Sequence, residues 1–142
     1  MLKGYIDVYL PDMKYFDTKY SSKYSKAKDY FNYAKDAINE MVSQVGEVEF
    51  DEKGIIQKGV IIRHLMLPGL LFDSKKIIEH IHNIYGNKVY ISIMNQYTPL
   101  ENVKTYPELN KPLNQKHYDT MIDYALSIGV ENGFIQEEGT DK

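Results

Sequence analysis

Charged and polar side chains lie at the ends of three apolar segments of the chain. Asp12 and Lys14 follow the first segment, Arg63 lies near the end of the second, and Gln96 and Tyr97 follow the third. A guanidinium binds an anion through paired hydrogen bonds, a lysine amine can form a Schiff base, and amide and phenol groups hydrogen-bond polar ligands. These residue types indicate a site for a small anionic ligand or a carbonyl substrate.

Each of these groups also has a structural explanation. An Asp–Lys pair beside a proline is typical of a solvated turn, and the polar pair after the third segment can hold its own loop. A charge inside an apolar strand is costly unless it is paired, so Arg63 needs either an anionic ligand or an acidic side chain. Because alternate residues of an extended chain share a side, Asp12 and Lys14 should share one face, whereas Arg63 and His64 should face opposite sides.

The spacing of apolar residues predicts an alternation of strands and helices that would position these groups. Strands are expected over residues 5–10, 60–67, 89–94 and 134–136, and helices over residues 26–45, 73–86 and 114–129. Asp73 or Ser74 is the expected cap of the second helix, and Asn114 that of the third. This order predicts an α/β fold of three to four parallel βα units, as an arc or a small open sheet, with ligands at the carboxyl ends of the strands.

Composition limits the function further. The 142 residues suit a single domain (1–142), and the net charge of -3 with interleaved Lys, Asp and Glu gives no basic surface for nucleic acid. The sequence has no apolar run of bilayer length and no signal peptide, which indicates a cytoplasmic protein without membrane contact. Cysteine is absent, so thiolate metal sites and cysteine nucleophiles are excluded.

The histidines do not form a metal site by spacing. His80 and His82 are two residues apart on a predicted helix and therefore point about 200° away from each other. His117 lies in the first turn of the last helix without a partner at ligand spacing. We therefore assign no metal ligand and no catalytic residue.

Five stretches carry a resemblance to a known family. They resemble, in order and spacing, the later strands of radical S-adenosylmethionine proteins of the pyruvate formate-lyase activating enzyme-like family; the stretches are residues 7–15, 59–69, 92–99, 106–110 and 131–137. The resemblance implies a partial (β/α)6 barrel, of which this chain would supply the last three strands as a C-terminal half of a TIM-like barrel. The chain would then begin in the middle of the fold.

The resemblance also implies the cofactors. In the family, a Cys-x-x-x-Cys-x-x-Cys loop after the first strand binds a 4Fe-4S cluster that chelates S-adenosylmethionine, and the resulting 5'-deoxyadenosyl radical typically abstracts hydrogen from a glycine of a partner enzyme. This chain lacks that loop and the family's glycine-rich motif on the second strand. Both cofactors are therefore implied for a full-length protein only, and the chain alone is expected to be inactive.

The resemblance assigns roles to five residues. Asp12 and Lys14 match the family's Asp-x-Lys motif, which implies that Lys14 approaches the carboxylate of S-adenosylmethionine and that Asp12 organises polar groups nearby. Arg63 matches an arginine that pairs with the same carboxylate. A family histidine near the adenosyl group is replaced here by the neighbourhood of Gln96 and Tyr97, which are the remaining expected contacts.

Two other functions stay open. The first is a metal-free lyase or aldolase that uses Lys14 as a Schiff-base amine, and the second is a non-catalytic docking or small-molecule-binding module. A half barrel leaves a strand edge unpaired. We therefore expect an N-terminal half-barrel partner or self-association through the open edge, and the family adds a glycyl-radical enzyme as an expected partner.

Overall fold

Strands and helices alternate along most of the chain. The computed structural model describes residues 7–95, 107–109 and 113–135. The strands are β1 (Val8–Tyr9), β2 (Glu49–Phe50), β3 (Ile56–Leu65), β4 (Tyr90–Met94) and β5 (Gly133–Ile135). The helices are α1 (Thr18–Ser25), α2 (Tyr30–Val45), α3 (Leu71–Tyr85) and α4 (Gln115–Ser127), with a short 3-10 helix at Pro107–Leu109. The predicted α/β class is confirmed.

The strands form an open mixed sheet. Its order is β1-β3-β4-β5, and each neighbouring pair in that order is parallel. The short β2 pairs antiparallel with the beginning of β3. The three apolar segments of the sequence are therefore parallel neighbours, as predicted, and their carboxyl ends lie at one edge of the sheet.

The two sides of the sheet differ in their surroundings. On β3, Val60 and Ile62 are buried, whereas Ile61 and Arg63 are partly exposed. The buried residues of β3 and β4 join one core with residues of α2, α3 and α4, such as Ile38. We call this side the helix-covered face. We call the other side, which carries Ile61, Arg63 and the side chains in register with them, the open face.

Helix α2 is formed as its apolar residues predict. Every residue expected on its inner side is buried or packs against the core. The predicted start at residue 26 is wrong, because a separate helix, α1, precedes α2. Asp17 caps α1 by accepting a hydrogen bond from the Lys19 N–H, and α1 ends where Lys26 adopts a left-handed φ of 54°.

The other helices depart from prediction in detail. Neither Asp73 nor Ser74 caps α3, since both lie inside its first turn, are buried, and bond to other parts of the chain. Asn114 caps α4 as predicted, and its Oδ1 accepts from the Lys116 N–H at 2.8 Å. Ile84 and Leu126 were expected inside but are 50% and 60% exposed. Across residues 7–95, 107–109 and 113–135, the helices are too short or too polar to cross a bilayer.

A glycine in β3 allows this strand to pass close to the residue that precedes β2. Gly59 has a φ of 126°, and a Cβ at this position would lie 2.6 Å from Cγ1 of Val48. An L side chain there would be strained and would collide with its neighbour. The absence of a side chain at Gly59 is therefore compatible with the pairing of β2 and the first part of β3.

Candidate functional site

Asp12 and Arg63 are brought together at the carboxyl end of β1. The Arg63 Nε donates to Oδ1 of Asp12 over 2.7 Å, and the two residues form a parallel bridge. Backbone hydrogen bonds on both sides of the pair fix this position: the Arg63 N–H donates to the Pro11 carbonyl, and the Met13 N–H donates to the Arg63 carbonyl. The charge on β3 therefore has an acidic side-chain partner, which is one of the two explanations open from the sequence.

The ion pair is open to solvent. The side chains of Arg63 and Asp12 are 43% and 41% exposed. Ion pairs with this much exposure contribute between about 0 and 1 kcal/mol to stability. A guanidinium carries five N–H donors, and the bond to Asp12 uses one of them. The pair therefore leaves Arg63 able to bind an additional anion.

A cavity of about 320 Å³ lies on the open face beside Arg63. Apolar and aromatic side chains line most of it, namely Leu10, Phe50, Ile56, Ile61 and Tyr90. Ser92 lies opposite Arg63 in the register of β3 and β4, and both residues line the cavity. Its size falls within the range of small-molecule sites, about 300 to 1,000 Å³. Alternation along a strand puts Ile61 and Arg63 on the same side, whereas the contribution of Phe50 depends on the pairing of β2 with β3.

On the helix-covered face, His64 holds the loop that follows β1. Its Nδ1 lies 2.8 Å from the Met13 carbonyl and its Nε2 lies 2.7 Å from Oγ of Ser74. Because a carbonyl only accepts, Nδ1 carries the proton and Nε2 accepts from the serine hydroxyl. Burial lowers the pKa of His64 to about 4, so the imidazole is neutral at pH 7. His64 and Arg63 face opposite sides, as predicted.

Asp73 anchors the same loop at a second point. Its two carboxylate oxygens accept from the backbone N–H groups of Phe16 and Asp17, each at 2.9 Å. Burial raises the pKa of Asp73, and the two N–H donors act in the opposite direction. With His64, this carboxylate fixes the loop that carries Asp12. Local sequence patterns do not predict this anchor, since Asp73 and Phe16 are separated by 57 residues.

Lys14 lies in this anchored loop with an exposed side chain. Its backbone N–H donates to the Tyr30 hydroxyl at 2.8 Å, and that hydroxyl donates to the Asp12 carbonyl at 3.2 Å. Lys14 therefore follows Asp12, the acidic member of the ion pair, by two residues in a loop that these hydrogen bonds hold in place. The remaining predicted contacts, Gln96 and Tyr97, lie outside the described residues.

The 3-10 helix of the connection between β4 and α4 contacts α1. Glu108 accepts hydrogen bonds from the Lys23 amine and the Tyr24 hydroxyl, each at 2.8 Å. The hydrogen bond from Lys23 is the largest of the causes that lower the pKa of Glu108 to about 2. This side chain therefore joins segments that follow β4 and β1 in the chain.

The described residues define an open α/β sheet whose uncovered side carries an arginine–carboxylate pair beside an apolar cavity. No family model matches this chain, and no solved structure matches it. The chain is similar to a curated relative, the uncharacterized protein MJ0674 of Methanocaldococcus jannaschii, with 32% identity over 132 residues. The match covers 92% of this chain and 35% of the relative, so the chain spans 35% of that protein's length.

Proposed function

We propose that this chain is the C-terminal part of a radical S-adenosylmethionine protein of the pyruvate formate-lyase activating type, with the sheet as part of a half TIM-like barrel. One observation carries the proposal. Arg63 lies on the open face of parallel neighbouring strands, next to the Asp12 of the Asp-x-Lys motif. In a barrel built from such strands the open face would line the interior, where ligands are held.

The residues present fit one part of S-adenosylmethionine. Arg63 offers guanidinium N–H groups to the carboxylate of the ligand, and Lys14, which is exposed and follows Asp12 by two residues, supplies a second positive charge. Asp12 keeps the guanidinium in place through Nε and is able to accept from the ligand's amino group. The contribution of this chain is therefore to bind and orient the amino-acid end of the ligand.

The residues present do not fit a 4Fe-4S cluster. The 142 residues contain no cysteine, and cysteine thiolates are the usual ligands of such clusters. The reductive chemistry that the cluster supplies would have to come from another segment or another chain. We therefore expect this chain to bind S-adenosylmethionine weakly and to cleave none of it.

Calorimetric titration with S-adenosylmethionine tests the proposal. We expect binding in the millimolar range and a loss of roughly tenfold or more in Arg63→Gln, because a hydrogen bond to a charged group is removed. Lys58→Gln is the matched control, since it removes an exposed cation from the same strand. It should leave the affinity unchanged.

A second ligand shows which part of S-adenosylmethionine Arg63 contacts. Methylthioadenosine keeps the adenosyl group but lacks the amino-acid end, so its affinity should not respond to Arg63→Gln. A titration without heat at millimolar S-adenosylmethionine would refute a cofactor role for Arg63. An equal loss of affinity in Arg63→Gln and Lys58→Gln would refute it as well. A docking module would then be the better explanation.

The alternative of a Lys-dependent lyase or aldolase is tested by borohydride trapping. Lys14 is exposed, and a Schiff-base lysine is normally activated by desolvation or by a second cation. Incubation with small aldehydes and borohydride should therefore label Lys14 no more than the exposed Lys58. Preferential labelling of Lys14 would favour the lyase.

The proposed partners follow from the edges of the sheet. Among the described strands, β1 and β5 lie at the two ends of the sheet, and unpaired strand edges recruit further strands. We expect an N-terminal half-barrel carrying the cysteine loop to pair there, or a second copy in its absence. Light scattering at high protein concentration that gives a monomer would contradict self-association.

A further inference from the structure

We infer that the cavity on the open face is a binding site for a small organic anion with an apolar body, such as an aromatic carboxylate or sulfonate. The inference goes beyond the proposed cofactor role and does not require it. It depends on the lining of the cavity, the position of Arg63 at its border and the exposure of Asp12.

The lining of the cavity selects the apolar body of the ligand. Leu10 and Phe50 are 55% and 40% exposed, although both border a concave space. The Phe50 and Tyr90 rings lie 5.8 Å apart in an edge-to-face arrangement, which gives one wall of the cavity an aromatic surface. Concave, exposed apolar surface of this kind is typical of ligand sites. A flat or branched hydrocarbon group would remove this surface from water.

The border of the cavity selects the charge of the ligand. Arg63 is the cation among the residues that line it, and Ser92 is its register partner on β4, with its hydroxyl on the same face. A guanidinium and a hydroxyl together supply donors for two oxygens of one carboxylate or sulfonate. The occupant is therefore an anion whose charged group lies beside Arg63 and whose body lies against Phe50 and Ile61.

Because Asp12 lies beside Arg63, the affinity of this site for an anion should change in opposite directions when one or the other charge is removed. The Asp12 carboxylate lies 2.7 Å from the Arg63 Nε and offsets part of the guanidinium charge, so it repels an anion that binds the remaining N–H groups. Removing the Asp12 charge should therefore strengthen binding, while removing the Arg63 charge should weaken it. A surface that binds hydrophobic dyes without charge selection would show neither effect.

Fluorescence titration with anilinonaphthalene sulfonate tests the inference, with phenylnaphthylamine as its uncharged counterpart. We expect Arg63→Gln to weaken binding of the sulfonate by roughly tenfold or more. Asp12→Asn should tighten binding of the sulfonate by roughly threefold, the scale of an exposed ion pair. Neither variant should change the affinity for the uncharged dye, and Phe50→Ser should weaken both dyes.

Lys58→Gln is again the matched control and should match the wild type. Equal sulfonate affinities in the wild type and Arg63→Gln would overturn the inference, as would weaker binding in Asp12→Asn. A dye signal that falls with rising protein concentration, together with a dimer in light scattering, would also overturn it, because a second copy would then occupy the face.

The same titration separates this inference from the proposed cofactor role. Displacement of the sulfonate by S-adenosylmethionine in the wild type supports both, since both ligands use Arg63. The charge-dependent dye pattern without any calorimetric binding of S-adenosylmethionine would support the cavity and refute the cofactor role.

Discussion

The two faces of the sheet are built from alternate residues of the same strands, and the side chains on them have different surroundings. Ile62 is fully buried by the helices, whereas the adjacent Ile61 faces the cavity. His64 bonds to the chain at both ring nitrogens, whereas the adjacent Arg63 pairs with an exposed carboxylate. Stability is therefore concentrated on the helix-covered face, and the open face is left with groups that can exchange partners.

This difference also explains how the site is positioned. The loop that carries Asp12 and Lys14 is held from the helix-covered side, by His64 and Asp73. The open face contributes the groups that would contact a ligand. Substitutions on one side should therefore change stability, and those on the other should change ligand binding.

The largest expected effect separates two adjacent isoleucines. Ile62→Ala should lower the free energy of unfolding by roughly 4 kcal/mol, because it leaves a cavity in a closed core. Ile61→Ala removes the same atoms from a partly exposed site and should cost less than about 1.5 kcal/mol. Denaturant unfolding of both variants measures the difference. Equal costs would show that the open face is also closed to water.

The next effect is a pH dependence that belongs to His64. Its folded pKa of about 4 lies below the ordinary value of 6.5, so between these values the unfolded chain binds more protons. Stability should therefore fall by about 3 kcal/mol as the pH drops from about 6.5 to 4, and change little above that window. The raised pKa of Asp73 partly offsets this loss at the acidic end, because the folded state then binds a proton more readily.

Unfolding of His64→Gln across the same pH range checks this origin. The slope between pH 6.5 and 4 should be flatter than in the wild type, whatever the variant's stability at pH 7. His117→Gln, in α4, is the control and should keep the wild-type slope. An unchanged slope in His64→Gln would assign the acid sensitivity to other groups.

The smallest effect separates two aspartates. Asp73→Asn should cost roughly 1 to 2 kcal/mol, because a buried carboxylate that accepts two backbone N–H groups becomes an amide that matches them less well. Asp12→Asn should change stability by less than about 1 kcal/mol, since its ion pair is exposed. Thermal unfolding of both at pH 7 tests the order. A larger loss in Asp12→Asn would mean that the open-face pair is structural.

Much of the fold was predictable because it follows from local patterns. The apolar spacing of α2, the Asn114 cap of α4 and the opposite orientations of Arg63 and His64 on β3 are properties of neighbouring residues, and the structure has them as expected. The first helix was missed because its eight residues, Thr18–Ser25, contain few apolar side chains, so the spacing of apolar residues does not mark it as a helix. Asp73 was assigned as a cap because its residue type suits one, but the helix begins earlier and the carboxylate is used by a distant loop.

The sequence by itself determined that the chain alternates strands and helices, that Arg63 and His64 face opposite sides, and that no cysteine ligand is present. Periodicity and residue type suffice for these properties. Only the tertiary structure decided that Arg63 meets Asp12, that His64 meets Ser74, and that Phe50 closes one side of an apolar cavity. These contacts join separate segments, and their geometry depends on how the strands pair and the helices pack.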